Sequence, residues 1–396
     1  MSMFLLPTAS PRRPGATRVV DIINLSSSAD TLLKERVQLL RKSGVDNRII
    51  CMDGSRVERL RAAGIPVFTA PLPRGYHPFK LLSSLVRITA YLRRERIDLV
   101  HTHCSIPGFI GRLAAWLAGV PVIIHTVHGF HFHDNTPSWK RGVYVALERF
   151  VGQFTDMLLS QNRHDLEQAA RFRIVPRNRL RHIGNGIKLD RFPGTRPART
   201  HDPLTITCVA RLEPVKNHRM LFESARQLKE RGYRFRIWAV GDGDLRPDYE
   251  ALCSKMEIRD CVEFLGYRDD IPELLAKTDI SVLTSVKEGI PRAILESMAM
   301  GVPVVATRVS GNSEVVREGE TGFMIELDDS DGLTIALERL MRDPELREEI
   351  GKRSREVAHR EYDETSIVQS LRDIYGNLLA GRASVAEATD TQAVPQ

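Results

Sequence analysis

Short apolar, β-rich runs alternate with helical patterns along nearly the whole chain, and this alternation restricts its fold more than any other feature. In the first half, strands are predicted over 18–24, 47–52, 66–69, 99–102, 122–126 and 157–160, and a short run over 180–183 closes this half. In the second half, they are predicted over 204–210, 235–240, 262–264, 280–283, 302–306 and 322–325. Strands that alternate with helices form parallel sheets covered by helices on both faces. The chain is therefore predicted to be α/β, with two Rossmann-like halves.

The length of 396 residues fits two domains of roughly 200 residues or fewer. A stretch rich in Pro, Arg and Thr over 191–203 has the composition of a linker. We predict an N-terminal domain over 1–195 and a second domain over 196–363. The helical pattern over 364–380 is expected to pack back on the first domain, and the small, polar residues 381–396 are expected to be disordered.

The segment 287–307 gives the strongest indication of function. Glu288 and Glu296 are eight positions apart, with Gly289 and Pro291 between them where a helical pattern begins. The free N–H groups and positive dipole end of a helix start bind anions. Solvated glutamates are one alternative; a glycosidase pair is disfavoured, because eight helical residues rise about 12 Å and glycosidase carboxylates lie roughly 5–9.5 Å apart. The segment predicts a site for a phosphorylated, hydroxyl-rich ligand.

Two cations follow the first predicted strand of the second half. Arg211 comes directly after that strand, and Lys216 lies five residues later at a predicted helix start. Together they suit a diphosphate, because Arg forks onto two oxygens and Lys supplies a point charge. A solvated helix start is the alternative for either cation alone. Gly241 and Gly243 form a turn after the next strand, but the full GxGxxG pattern is absent, so a nicotinamide site is disfavoured.

Six of the 12 histidines fall within residues 101–133. His101 and His103 end one predicted strand, and His128 follows the end of the next. His128 is the sharpest candidate, because loops at strand ends line the ligand sites of α/β sheets, whereas His125 is expected to be a packed core residue. A zinc site is an alternative, disfavoured because no carboxylate is interleaved at ligand spacing.

Positive charge is concentrated in the first half of the chain. Residues 1–200 hold 31 Lys and Arg against 14 Asp and Glu, whereas residues 201–396 hold 26 against 36. A basic half predicts an anionic partner. Nucleic acid is disfavoured, because no helix-turn-helix, zinc-finger or aromatic RNA-binding pattern is present.

An anionic membrane surface fits the basic half better. The helical pattern over 78–96 carries apolar residues together with five Lys and Arg, which suits a membrane-surface helix. An ordinary helix packed on a sheet, with its basic side in water, is the alternative. No apolar run is long enough to span a bilayer, and the five scattered cysteines are typical of reduced thiols. We therefore expect a cytoplasmic protein, peripheral at the inner face of the plasma membrane.

Four sequence blocks together resemble the retaining glycosyltransferases of family 4, which have the GT-B fold. They are VHTHCSIPGFIGRLAAWLAGVPVIIHTVHGF, IGNGIKLDRF, VARLEPVKNH and EGIPRAILESMAMGVPVVAT. The segments HTVHGF and GIPRAILESMA are most similar to the corresponding segments of bacterial enzymes that assemble exopolysaccharide, capsule or lipid-linked glycans. The resemblance implies two Rossmann-like domains whose parallel sheets face a central cleft. It also implies retaining sugar transfer from a nucleotide-diphosphate donor, with UDP favoured, to a lipid-linked or polysaccharide acceptor, without a metal or other cofactor.

The same resemblance implies roles on the donor side. Arg211 and Lys216 would clamp the donor diphosphate, and Glu296 would accept hydrogen bonds from the ribose hydroxyls. Glu288 would hold the donor sugar, and His128 would contact it from the first domain. Further donor-binding candidates are Gly241, Tyr267, Arg268, Gly289, Ile290 and Pro291. Of all these residues, the candidates for catalysis are His128, Glu288, Arg211 and Lys216.

One departure from the family pattern concerns the turn after the first strand. Many members carry a Gly-rich turn near the phosphates, whereas this chain has Ser26, Ser27 and Ser28. These serines and His103 are candidates for the acceptor side. A nucleotide-sugar 2-epimerase, a phosphorylase and a non-catalytic nucleotide-sugar-binding protein remain the alternative functions.

Overall fold

A computed structural model describes residues 16–73, 77–130, 132, 136–193 and 203–391, with side chains described as far as residue 382. Most of the predicted linker lies outside the described residues. The chain divides into two compact units. Unit 1 comprises Met1–Ile183 and Ile367–Gln396, and unit 2 comprises Gly184–Ser366. The sequence places the domain boundary at residue 195, whereas the units divide after Ile183.

Unit 1 contains a seven-stranded sheet in which all paired strands are parallel. Its strands are β1 (Arg18–Ile22), β2 (Asp46–Cys51), β3 (Val67–Thr69), β4 (Leu99–His103), β5 (Val122–Val127), β6 (Met157–Ser160) and β7 (Leu180–His182). Their order is β3-β2-β1-β4-β5-β6-β7. Successive strands are therefore added on one side of β1 up to β3 and on the other side from β4 onward. Open α/β sheets bind ligands at this reversal point, outside the carboxyl ends of the strands.

Helices connect these strands. They are α1 (Ser26–Ser28), α2 (Lys34–Lys42), α3 (Val57–Ala62), α4 (Pro78–Glu95), α5 (Ser105–Ala118), α6 (Ser138–Gly152) and α7 (Arg163–Arg171). Helix α4 begins with Pro78, which suits the first turn because the missing N–H has no helical partner there. It ends where Arg96 adopts a left-handed conformation, with φ of 50°. The helix predicted over 78–96 is thus present.

The serines after β1 form the start of a helix rather than the turn expected from the sequence. The first turn is α-helical over Ser26–Ser28, and a π-helical turn follows over Ala29–Leu33. The Thr31 hydroxyl donates to the Ser27 carbonyl oxygen over 2.9 Å, which supports this turn. Ser26 is buried, whereas Ser27 is exposed.

Unit 2 contains a six-stranded parallel sheet in the order β10-β9-β8-β11-β12-β13. Its strands are β8 (Leu204–Val209), β9 (Phe235–Val240), β10 (Val262–Gly266), β11 (Ile280–Leu283), β12 (Val304–Thr307) and β13 (Gly322–Ile325). Its helices are α8 (His218–Glu230), α9 (Arg246–Lys255), α10 (Ile271–Leu275), α11 (Arg292–Ala299), α12 (Ser310–Ser313), α13 (Ser330–Arg342) and α14 (Pro344–Glu361). The reversal point of this sheet lies between β8 and β11. The two parallel sheets confirm the predicted α/β class.

The last helix, α15 (Glu364–Thr391), packs into the core of unit 1. Its buried residues Ile367, Leu371 and Tyr375 join a cluster that includes Val19 of β1 and Leu99 of β4. The sequence predicts disorder from residue 381, but the helix continues to Thr391, where Ala and Glu favour helix. Residues 392–396 lie outside the described part of the chain.

Among the described residues, no helix combines the length and the hydropathy needed to cross a membrane. The five cysteines are free, and Cys51, Cys208 and Cys253 are buried.

Candidate functional site

The loops that follow β8 and β11 meet at the carboxyl edge of the unit 2 sheet, because these two strands are neighbours. The Val286 N–H donates to the Val215 carbonyl oxygen over 2.9 Å, and the Thr284 hydroxyl donates to the Lys216 carbonyl oxygen over 3.1 Å. The Lys216 ammonium then lies 2.5 Å from Glu288 Oε1. Their side chains are only 18% and 10% exposed, so this ion pair is largely removed from water.

The β8 loop also carries Arg211, which is more exposed. Its guanidinium donates to Glu213 Oε1 over 2.6 Å. Gly241, at the end of β9, lies against the backbone beside it, and a Cβ there would stand 2.1 Å from the Ala210 carbonyl oxygen. Gly241 also has φ of 141°, which L side chains rarely adopt. Only glycine therefore allows this close approach to the loop that positions Arg211.

Helix α11 begins directly after Pro291, as the sequence predicts, and Glu296 lies within it. Glu296 is 13% exposed and lies 3.7 Å from Arg292 one turn earlier. The preceding loop is held on two sides. The Asn185 amide donates to the Ile290 carbonyl oxygen over 3.1 Å, and Gly311 packs so closely that a Cβ there would stand 1.6 Å from the Gly289 carbonyl oxygen.

Two further donor-binding candidates, Tyr267 and Arg268, follow β10, and the family resemblance implies that their loop contacts the nucleotide base. Tyr267 is 45% exposed. Arg268 donates two hydrogen bonds to Asp270, one of them over 2.7 Å to Oδ1, and this pairing lowers the pKa of Asp270. Base recognition by these two residues stays a prediction, and it would use Arg268 in the orientation that Asp270 fixes.

In unit 1, a chain of hydrogen bonds crosses the sheet from β1 to the end of β6. Asp21 Oδ1 lies 2.7 Å from His103 Nε2, and His103 Nδ1 lies 3.1 Å from His128 Nε2. His128 Nδ1 in turn lies 3.0 Å from the Gln161 side-chain oxygen. Burial is the main cause that lowers the pKa of both His103 and His128 to about 3. Both rings are therefore neutral near pH 7.

His101 and His125 form a second part of this polar layer. His101 Nδ1 lies 2.7 Å from the Tyr375 hydroxyl, and its Nε2 lies 2.6 Å from the Thr126 hydroxyl. His125 Nδ1 lies 2.9 Å from the Thr102 hydroxyl. Burial lowers the pKa of His101 and His125 well below the ordinary value, and it raises the pKa of Asp21. His125 is a packed core residue, as the sequence indicates.

Comparison with known proteins identifies the family. The family described as "Glycosyl transferase 4-like domain" matches residues 32–186, and "Glycosyl transferases group 1" matches residues 195–357. A UDP-Gal:alpha-D-GlcNAc-diphosphoundecaprenol alpha-1,3-galactosyltransferase from Escherichia coli is 30% identical over 378 residues, which cover 92% of this chain and 97% of that protein. The chain belongs to the family 4 glycosyltransferases.

Other similar proteins share most of their length with this chain. The capsular polysaccharide biosynthesis glycosyltransferase CapM from Staphylococcus aureus is 23% identical over 91% of this chain and 97% of that protein. Anabaena Alr3699/HepE, solved with UDP and glucose, has a TM-score of 0.78 at 18% identity, covering 91% of this chain and 99% of that one. Sucrose-phosphate synthase from Thermosynechococcus elongatus has a TM-score of 0.77 at 18% identity, covering 92% and 100%. The fold is GT-B.

Two residues of this glycosyltransferase that pack beside the candidate groups were not predicted from the sequence. Asp21 contributes the carboxylate that was not found near the histidines, because it comes from β1 rather than from the histidine segment. The sequence feature that could have indicated Asp21 is its position as a lone acidic residue inside the apolar run VVDII. His218 is buried against Phe222 and Tyr249 with neither ring nitrogen bonded. Burial, helped by the nearby Lys216 charge, lowers the pKa of His218 to about 4.

The ligand atoms of Asp21, His101 and His103 lie within 4.8 Å of one another, which is the spacing of a metal site. However, every ring nitrogen of these two histidines already has a hydrogen-bond partner. The arrangement therefore suits a neutral hydrogen-bonded network, and zinc would have to displace these partners. His131 and His133 lie outside the described residues.

The acceptor-side candidates come from neighbouring strands. Ser26 follows β1 and His103 ends β4, and these strands are paired at the reversal point of unit 1. His103 is fully buried behind His128, so it is suited to orient that ring rather than to bind an acceptor itself. Contact of Ser26, Ser27 and Ser28 with an acceptor stays a prediction.

Proposed function

We propose that this chain transfers a sugar, with retention, from a UDP-sugar to a lipid-linked or polysaccharide acceptor in cell-surface glycan biosynthesis. The main support for a donor site is the Lys216–Glu288 ion pair. It lies near the start of α11, at the reversal point of the unit 2 sheet. The names of the similar E. coli galactosyltransferase and S. aureus CapM support the choice of UDP and of a glycan acceptor.

The proposed chemistry depends on charge at the leaving group. The bond from the anomeric carbon to the β-phosphate oxygen breaks, and the acceptor oxygen forms the new bond on the same face of the sugar. Negative charge that builds on the diphosphate is stabilised by Arg211, Lys216 and the positive end of the α11 dipole. The leaving phosphate oxygen accepts the acceptor proton. Because the protein supplies this positive charge, we propose that no metal is needed.

Transfer is tested by incubating the protein with a panel of UDP-sugars, with and without an undecaprenol-linked sugar diphosphate, in the presence of EDTA. We expect labelled sugar in the lipid fraction only when both substrates are present, at a rate that EDTA leaves unchanged. Epimerised donor formed without acceptor would instead establish the 2-epimerase function. Tight donor binding with no transfer to any lipid or polysaccharide acceptor would establish a binding protein.

We also propose that the protein is cytoplasmic and binds the inner face of the plasma membrane through unit 1. Helix α4 buries Ile88 and Leu92, yet it exposes Phe79, Leu82 and Val86 on its opposite side. These three positions are spaced by three or four residues, so they form one apolar stripe on the solvent side. Lys80, Arg93 and Arg96 are exposed on the same segment and suit anionic lipid headgroups.

Charge reversal of these cations tests the membrane contact. Replacing Lys80, Arg93 and Arg96 by Glu should lower co-sedimentation with phosphatidylserine-containing liposomes at least tenfold, since each cation near the surface contributes about 1 kcal/mol. Arg94 is left unchanged, because it is hydrogen-bonded to the buried Glu95. The matched control reverses Arg219, Arg226 and Arg231 of unit 2. Sedimentation that survives in the α4 variant would eliminate this segment as the membrane contact.

A further inference from the structure

Unit 1 contains an apolar cavity of about 180 Å³ between helices α4, α5 and α6. Its walls are formed by Leu81, Ile106, Phe109, Ile110, Phe130, Phe132, Tyr144 and Leu147, with Ser105 and Glu148 as the remaining lining residues. For comparison, an engineered apolar cavity of about 150 Å³ stays dry and binds benzene. The cavity is therefore large enough for several carbon atoms of an apolar ligand.

The charged residue in the wall does not make the cavity polar. Glu148 Oε2 accepts a hydrogen bond of 2.6 Å from Arg112, and both side chains are buried. Arg112 is held in turn by the Gly108 carbonyl oxygen over 2.9 Å. Because the carboxylate charge is compensated within the protein, the space offers hydrocarbon contacts and no unpaired carboxylate. A charged or sugar-like occupant would lose its hydration there, and the hydroxyls of Ser105 and Tyr144 would replace only part of it.

One end of the cavity lies at the carboxyl edge of the unit 1 sheet. Ser105 and Ile106 begin α5 directly after β4, which ends at His103. Phe130 lies two residues after His128, which follows β5. The cavity thus starts beside the polar groups at the reversal point of this sheet.

The other side of the cavity continues into an exposed apolar surface. The Phe109 ring lies 6.4 Å from the ring of Phe150, which is 46% exposed. Trp139 on α6 is 69% exposed and has the Lys140 ammonium 5.4 Å from its ring centre. The same three helices, α4, α5 and α6, also expose the large apolar side chains Phe79, Leu82, Val86, Trp116, Leu117 and Val143. Aromatic rings beside cations are typical of surfaces that meet a lipid interface.

We propose that this cavity binds the hydrocarbon chain of the lipid-linked acceptor, next to the sugar diphosphate that the chain carries. The inference rests on the proposed function, since it requires an acceptor with a lipid tail. About one five-carbon unit fits in the cavity, by comparison with benzene, and the rest of the chain passes over the exposed surface of α4, α5 and α6 into the bilayer. Binding of the hydrocarbon tail keeps the reacting hydroxyl of the acceptor near the edge of the unit 1 sheet. It also selects lipid-linked acceptors over free ones.

Filling the cavity tests this proposal. Wild-type protein is assayed with one sugar diphosphate linked either to undecaprenol or to a short, water-soluble alkyl chain. The Ile106→Trp variant should raise KM for the undecaprenol acceptor about 10- to 100-fold, because each buried methylene contributes roughly fourfold in affinity. Its KM for the short-chain acceptor and its thermal stabilisation by UDP-sugar should stay at wild-type values. Ile335→Trp, at a residue of unit 2 that is 60% exposed, is the matched control and should change neither KM.

The outcomes separate this proposal from the proposed function. If wild-type protein uses neither acceptor, the proposed function fails. If it uses both with equal KM, or if Ile106→Trp leaves the undecaprenol KM unchanged, the cavity proposal alone is overturned. Should Ile106→Trp fail to fold, shown by loss of hydrogen-exchange protection in β4, Leu81→Trp fills the same space from α4 and is judged by the same two KM values.

Discussion

Replacing Lys216 by Ala is expected to lower kcat/KM for sugar transfer by about 10³-fold or more. Removal of a single prearranged hydrogen-bond donor to a developing oxyanion typically costs about 10²–10³ in rate, and Lys216 also carries a full charge. The variant leaves Glu288 without its 2.5 Å partner beside the bound diphosphate, so like-charge repulsion adds to the loss. Donor turnover is measured at saturating acceptor.

The matched control is Lys229→Ala in the same unit. Lys229 also pairs with a carboxylate, since its ammonium lies 2.6 Å from Asp260, but this pair is on the surface of α8. Its loss should leave kcat/KM within about twofold, as expected for an exposed ion pair. Melting temperatures of both variants separate lost catalysis from lost folding. A Lys216→Ala protein that is folded and transfers sugar at the wild-type rate would remove Lys216 from the site.

Unit 1 is expected to lose stability between pH 7 and pH 5, by up to about 2 kcal/mol for each histidine that burial keeps neutral in the folded state. Burial lowers the folded pKa of His101, His103, His125 and His128 below the unfolded value near 6.5. Below pH 6.5 the unfolded chain therefore takes up protons that the folded unit does not. The stability that the neutral histidines contribute to unit 1 is fully present above their unfolded pKa. It decreases as the pH falls from the unfolded pKa towards the folded pKa.

Asp21 opposes this trend over part of the range. Burial raises its folded pKa above 3.8, so Asp21 favours the folded state as pH falls through that raised value. One carboxylate offsets at most part of the effect of four histidines. Among the described residues of unit 2, the one comparable group is His218, with a pKa of about 4, so this unit should lose correspondingly less stability.

Hydrogen exchange at pH 7 and pH 5, corrected for the intrinsic exchange rate, measures this difference through the amides of β4 and β8. The His125→Asn variant should show a smaller loss in unit 1, whereas His182→Asn, at an exposed position, should behave like wild type. Opening free energies of β4 that stay within about 1 kcal/mol between the two pH values would contradict the burial of these histidines as neutral groups.

The strands and the start of α11 were predictable from the sequence because they depend on local patterns. Buried parallel strands are continuous apolar runs, and Pro291 before an apolar helical pattern indicates where a helix begins. The end of α15 was not predictable in the same way. Residues 381–391 lack large apolar side chains, which suggested disorder, but their Ala and Glu residues also favour helix.

The partners of the site residues depend on sheet order, which local patterns do not contain. Lys216 and Glu288 are 72 positions apart and meet because β8 lies next to β11. Asp21 and His103 are 82 positions apart and meet because β1 lies next to β4. The exposed apolar stripe on α4 was not predictable for a related reason. Apolar residues lie on both sides of this helix, and the sequence does not indicate which side packs on the sheet.

The anomeric configuration of the product tests the central claim most directly. The protein is incubated with a UDP-α-sugar and the undecaprenol-linked acceptor, and the glycan released from the lipid is examined by proton NMR at the new linkage. We expect an α-linked sugar, formed with wild-type protein and absent with Lys216→Ala. A β-linked product, or the same product at an undiminished rate with Lys216→Ala, would contradict a retaining transferase whose donor site contains the Lys216–Glu288 pair.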